Sequence, residues 1–136
     1  MSDRCPWCGT EDIYVRYHDE EWVVPEYDGR ALWEKLVLDG FQAGLSWITI
    51  LKKREAFRAA FADFDPDVVA NYDESDVQRL LGDAGIIRHR GKLEATIRGA
   101  RLWQEIEARE GLADYLWKYA DGVQWRNRWG SMAEVP

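Results

Sequence analysis

The apolar residues of this chain recur mostly at three- and four-residue steps, and no segment alternates with the two-residue period of a half-buried strand. Asp28 predicts the N-cap of a helix whose apolar positions are Leu32, Trp33, Leu36 and Val37, running to Asp39-Gly40. Ser46 predicts the cap of a second, with Ile50, Leu51, Phe57 and Phe61 along one side. Asp65-Pro66 is a cap followed by proline at the first helical position. Asp73 opens a short helix carrying Val77, Leu80 and Leu81, closed near Gly82. A long helix from about Gly91 carries Leu93, Ile97, Leu102, Trp103 and Ile106 to Gly111, and residues 112–119 form a further helical piece. Arg4 to Pro25 lacks a clear helical period and reads as an ordered loop. The expectation is an all-α fold, with residues 1–136 forming one domain.

Composition narrows the function classes. Hydrophobic residues make up 46% and charged residues 32%, enough apolar material for a packed core. No apolar run approaches the ~20 residues of a membrane helix. The start, Met1-Ser2-Asp3-Arg4-Cys5, lacks the apolar stretch of a secretory signal, so a cytoplasmic location without membrane contact is expected. A net charge of −7 argues against a protein that simply coats DNA, but leaves room for a local basic patch. Eight tryptophans are expected mostly in the core, the remainder being candidates for stacking on a flat ligand.

Four stretches carry candidate chemistry. Cys5 and Cys8 form a Cys-x-x-Cys pair with His18 following, which suggests the start of a tetrahedral zinc site; two free thiols and a surface histidine are the plain alternative. Tyr14, Tyr17 and Trp22, interleaved with Asp19, Glu20 and Glu21, could wall a pocket for a flat cationic ligand or merely plug the N-terminal arm onto the body. The segment Asp39-Gly40-Phe41-Gln42-Ala43-Gly44-Leu45-Ser46-Trp47 joins two helices and displays a carboxylate, an amide, an aliphatic tip and an indole. Its two glycines permit a sharp turn and close approach to a ligand. Asp83 to Lys92 is a short glycine-bounded hairpin where backbone N–H groups and cationic side chains could meet phosphates; a tight turn with solvated charges is the alternative.

At these residues a resemblance becomes specific. Arg4-Cys5-Pro6-Trp7, residues 17–22, 41–47 and 84–92, in this order and spacing, resemble the DNA-3-methyladenine glycosylase I family, and weaker similarity continues to the tail. That family is a group of helix-hairpin-helix base-excision enzymes. It flips an alkylated adenine out of duplex DNA and hydrolyses its bond to deoxyribose. The resemblance implies that Trp47 stacks on the base, that Tyr14, Tyr17 and Trp22 complete the pocket, and that Asp39 reads the base and is the candidate catalytic carboxylate. It implies that Gln42, Gly44 and Leu45 enter the duplex, and that Gly85, Arg88, His89, Arg90, Gly91 and Lys92 grip phosphates. Cys5 and His18 match two structural zinc ligands. No lysine stands out as a Schiff-base nucleophile, so a hydrolase without lyase activity is expected, acting on double-stranded DNA containing alkylated adenine.

Three departures accompany the match. Asp39 stands where the family typically has glutamate, one methylene longer. Val23 replaces a glycine after Trp22. Relatives continue past the position of Pro136 with helices that supply a histidine and a cysteine to the zinc, so a C-terminally truncated domain is expected. Its exposed apolar faces would favour an oligomer or a completing chain. The competing functions are a non-catalytic DNA- or partner-binding relative and a zinc-stapled helical interaction domain.

Overall fold

A computed structural model describes residues 4–22 and 24–136. Among them there is no strand, and the all-α expectation holds. The helices are α1 (Asp12–Tyr17), α2 (Gly29–Phe41), α3 (Trp47–Lys52), α4 (Arg54–Ala60), α5 (Pro66–Val69), α6 (Glu74–Leu81), α7 (Arg90–Arg109) and α8 (Leu112–Trp117). The Val23 departure lies outside the described residues.

Three caps act as the sequence predicts. Asp28 accepts from the Ala31 N–H, Asp65 from Asp67, and Asp73 from both Ser75 and Asp76 in a reciprocal capping box. Ser46 does not: its hydroxyl pairs with that of Thr49 at 2.7 Å. The single helix expected after Ser46 is instead two, because the backbone leaves helical geometry at Lys53. This turn lets Ile50 and Leu51 from α3 and Phe57 from α4 reach one core.

The N-terminal arm is also more helical than expected. α1 continues into a wide π turn over His18–Trp22. Tyr17 and His18 are buried, and His18 stacks on Trp22 one turn on, with ring centroids 5.5 Å apart. The acidic run Asp19-Glu20-Glu21 is the exposed side of this turn.

The core centres on Phe41, Phe57, Phe61 and Phe64, all essentially inaccessible, with Leu38, Ile50, Leu80 and Leu93 around them. Phe64 reaches it through a left-handed turn, Ala62–Phe64, with φ between 51° and 56°. Arg30 secures that turn by donating to the Asp63 carbonyl at 2.8 and 3.0 Å. Of the tryptophans, only Trp33 is fully buried; Trp47 and Trp103 flank the core, and Trp22, Trp125 and Trp129 are exposed. The expectation that most fill the core is corrected: the phenylalanines occupy that space. An apolar groove of about 370 Å³ lies open between α2, α7 and α8, with Leu36 and Leu102 exposed along it.

Candidate functional site

A cavity of about 600 Å³ opens between the N-terminal arm, α2 and the α3–α4 pair. Its aromatic walls are Tyr17, Trp22, Trp47 and Trp117, and its charged lining is Glu20, Glu21, Glu26, Glu34, Lys35, Arg54 and Arg58. Two of the cations are tied: Arg54 donates to Glu21 at 2.8 Å, and Arg58 to Glu34 at 2.8 Å. The cavity therefore combines aromatic and charged walls, as a site for a flat, charged ligand requires.

Of the residues expected to form a pocket, the fold brings Tyr17, Trp22 and Trp47 together. Trp47 opens α3, and its ring lies 5.3 Å from that of Tyr17. Its indole N–H is buried without a hydrogen-bond partner, an unmet donor beside the cavity. Burial pushes the Tyr17 phenol above its ordinary value, opposed by Lys35. Tyr14 is not in the lining: its ring packs on Trp7, 5.2 Å away, in the cluster that anchors the arm. Asp39 is not in the lining either. It sits exposed on the last turn of α2, 2.5 Å from the Lys35 ammonium.

The sequence reasoning missed Lys35, Arg54, Arg58, Trp117 and Gln124. The first had a signal, since Lys35 and Asp39 are one helical turn apart and must share a face. Trp117 and Gln124 had none. They arrive from the far end of the chain, where the Trp117 indole donates to the Glu26 carbonyl at 2.6 Å.

The α2–α3 connection forms a protruding tip. The Leu45 N–H closes a tight turn onto the Gln42 carbonyl at 2.6 Å, and Gly44 takes φ +83°, which a side chain disfavours. Leu45 is left exposed at the tip, and Gln42 is half-buried behind it.

The hairpin joining α6 to α7 packs against α4. A β-carbon on Gly85 would come within 2.9 Å of that of Ala56, so glycine is needed here for packing. Asp83 accepts from the Gly85 N–H at 2.8 Å, and His89 caps α7 by accepting from Lys92 at 3.1 Å. The cations expected to meet phosphate divide three ways. Arg88 is exposed, with no ion-pair partner among the described residues. Arg90 lies between Glu74 and Glu94 at 2.7 and 3.0 Å. Lys92 turns inward and donates to the carbonyls of Phe41 and Ala43 at 3.0 and 2.7 Å, which braces the α2–α3 tip.

Cys5 and His18 do meet. The Cys5 N–H donates to His18 Nε2 at 3.3 Å, and His18 Nδ1 is 2.9 Å from Asp19. A carboxylate behind a ring nitrogen is how metal-bound histidines are held. The Cys8 thiol, however, is buried and donates to the Cys5 carbonyl at 3.2 Å. Among the described residues no three His, Cys, Asp or Glu side chains gather as a metal site. Structural zinc takes four ligands, so Cys5 and His18 fit at most half a site, and no chemical step is assigned to a metal.

Comparison with known proteins gives a consistent picture. The family model described as methyladenine glycosylase matches residues 7–136. DNA-3-methyladenine glycosylase 1 of Escherichia coli is 47% identical over 98% of this chain and 72% of its own length. DNA-3-methyladenine glycosylase of Haemophilus influenzae is 46% identical over 89% of this chain; the match spans 66% of that protein. Among solved structures, a variant of 3-methyladenine DNA glycosylase I in complex with 3-methyladenine superposes with a TM-score of 0.94. It is 36% identical over 99% of this chain and 73% of that one.

Proposed function

The chain belongs to the methyladenine glycosylase family, and from that premise we propose that it is a base-excision repair enzyme. It hydrolyses the N-glycosidic bond of 3-methyladenine in alkylated double-stranded DNA. The observation that carries this reading is the gathering of Tyr17, Trp22 and Trp47 around one cavity, with Leu45 exposed two residues before Trp47 in the chain.

Each part has a physical task. Leu45, with Gln42 behind it, enters the duplex where the damaged nucleotide leaves the stack. Flipping costs a few kcal/mol, less for a lesion that has already weakened pairing. Stacking on Trp47 returns ~1–3 kcal/mol. Alkylation at N3 gives the adenine a positive charge, which indole and phenol faces favour over a neutral base. The same charge makes the base a good leaving group. The C1′–N9 bond breaks with its electron pair passing to the base, a water oxygen bonds to C1′, and the proton of that water goes to solvent. The enzyme therefore needs orientation more than acid catalysis. Asp39, outside the cavity lining but paired with Lys35 of its wall, serves recognition of the cation.

Phosphate contact falls to the exposed Arg88, to His89 and to the backbone at Gly91 in the first turn of α7, with Arg90 available only by giving up its acidic partners. No Schiff-base nucleophile is assigned. The lysine in the cavity, Lys35, has its side-chain nitrogen engaged by Asp39.

The test is release of free 3-methyladenine from alkylated duplex DNA by the purified protein. Release without strand cleavage is expected. A folded sample that binds the lesion duplex yet releases no base would establish the non-catalytic alternative instead.

A further inference from the structure

The cavity already contains a cation of its own. Lys35 reaches from the middle of α2 so that its ammonium lies 4.4 Å from the Trp47 ring centroid, over the face, and 2.5 Å from the Asp39 carboxylate. It also faces the Tyr17 phenol. An aromatic face and a carboxylate are the two features that would hold an alkylated, cationic purine, and the side chain of Lys35 satisfies both at once. Two cations cannot share them without repulsion. Lys35 is nearly half exposed on a flexible four-carbon stem, so its ammonium can leave for solvent without disturbing α2.

An ordinary exposed ion pair at this helical spacing explains the Asp39 contact alone. It does not explain why the ammonium also covers the ring that opens α3, nor why Lys35 is part of the cavity wall while Asp39 is not.

We infer that Lys35 is a specificity-determining residue: an internal cation that occupies the base's place on Trp47 and Asp39 and must be displaced by the incoming base. Because every base must displace this intramolecular ligand, Lys35 lowers the affinity for all of them, and through charge repulsion it lowers that for a cationic base most. This inference rests on the reading of the cavity as the base pocket.

The experiment compares wild type, Lys35→Met and Lys35→Arg for binding of two free ligands by calorimetry. One is 3,9-dimethyladeninium, a permanent cation resembling the lesion base still attached at N9. The other is 3-methyladenine at mildly alkaline pH, where it is neutral. Lys35→Met is expected to bind the cation at least about fivefold more tightly, with a smaller gain for the neutral base, and Lys35→Arg to stay near wild type. A spectroscopic titration of Tyr17 adds a readout independent of ligand. Removing Lys35 removes the influence that opposes burial, so the phenol should titrate at higher pH. If wild type binds the bases and Lys35→Met leaves their affinity ratio unchanged, the inference fails while the pocket reading stands. If none of the three proteins binds either base, the pocket reading fails and the inference with it.

Discussion

The Lys92 ammonium donates to the Ala43 carbonyl at 2.7 Å, joining the first turn of the longest helix to the tip that carries Leu45. A second bond, to the Phe41 carbonyl at 3.0 Å, anchors the same ammonium at the end of α2. The hairpin and the tip are thus one mechanical unit, although about fifty residues separate them in sequence.

Removing that link should separate DNA engagement from base binding. Lys92→Met leaves two carbonyls without their charged donor, at a cost of about 1.5–3 kcal/mol in stability. Affinity for lesion-containing duplex should fall about tenfold or more, as a loosened tip holds the flipped state less well, while binding of free 3-methyladenine changes little. Urea denaturation and paired binding measurements read both effects. Equal losses for duplex and free base would mean that Lys92 supports the pocket itself.

Trp47 flanks the core as well as the cavity, so its truncation has two consequences. Trp47→Ala is expected to destabilise by about 3 kcal/mol through the space it leaves, and to abolish excision. Trp47→Phe keeps an aromatic face with less area, and should retain the fold with weakened base affinity. Circular dichroism with an excision assay distinguishes them. Full activity in a folded Trp47→Ala protein would remove Trp47 from the pocket.

Gly85 can be tested as a packing residue. Gly85→Ala places a methyl 2.9 Å from the Ala56 methyl and should cost about 1–3 kcal/mol. Pairing it with Ala56→Gly vacates that space and should recover part of the loss despite the helix penalty of the added glycine. Thermal melts of the two single variants and the double variant measure the coupling. Strict additivity would mean that the hairpin does not press on α4.

Acid stability has a defined window. Arg4, then His18, hold the Asp19 carboxyl down to about 2 from an ordinary 3.8. Arg90, then Gln78, hold Glu74 to about 2 from 4.5. A carboxyl lowered in the folded state contributes stability that is complete above its unfolded value and is lost as pH falls through the folded one. Melting temperature should therefore decline from about pH 4.5 toward pH 2. Asp19→Asn and Glu74→Gln should each make that decline shallower. Variants with an acid limb as steep as wild type would show that other carboxylates dominate it.

How much of this was legible beforehand follows from the range of the interactions. Asp28, Asp65 and Asp73 act on N–H groups two or three residues away, so their helices could be read from sequence. The resemblance rests on segments whose order and spacing are themselves sequence, and the family followed from it. The pairing of Lys35 with Asp39 was also within reach, since a helix puts such positions on one face. The π turn after α1 was not legible, because its aromatics look unpatterned until Trp7 packs beside them.

What only tertiary structure decided is which side chains face one another. Periodicity names a buried face but not the element opposite it. Tyr14 was drawn to Trp7 while its near neighbour Tyr17 reached Trp47. Lys92 found carbonyls where phosphate was expected, and Trp117 and Gln124 crossed the length of the chain to line the cavity. The sequence by itself determined the helices that Asp28, Asp65 and Asp73 cap, and the family, through contacts within a turn or two. The composition of the site was decided by packing between residues distant in the chain, which depends on the whole core around Phe41, Phe57 and Phe61.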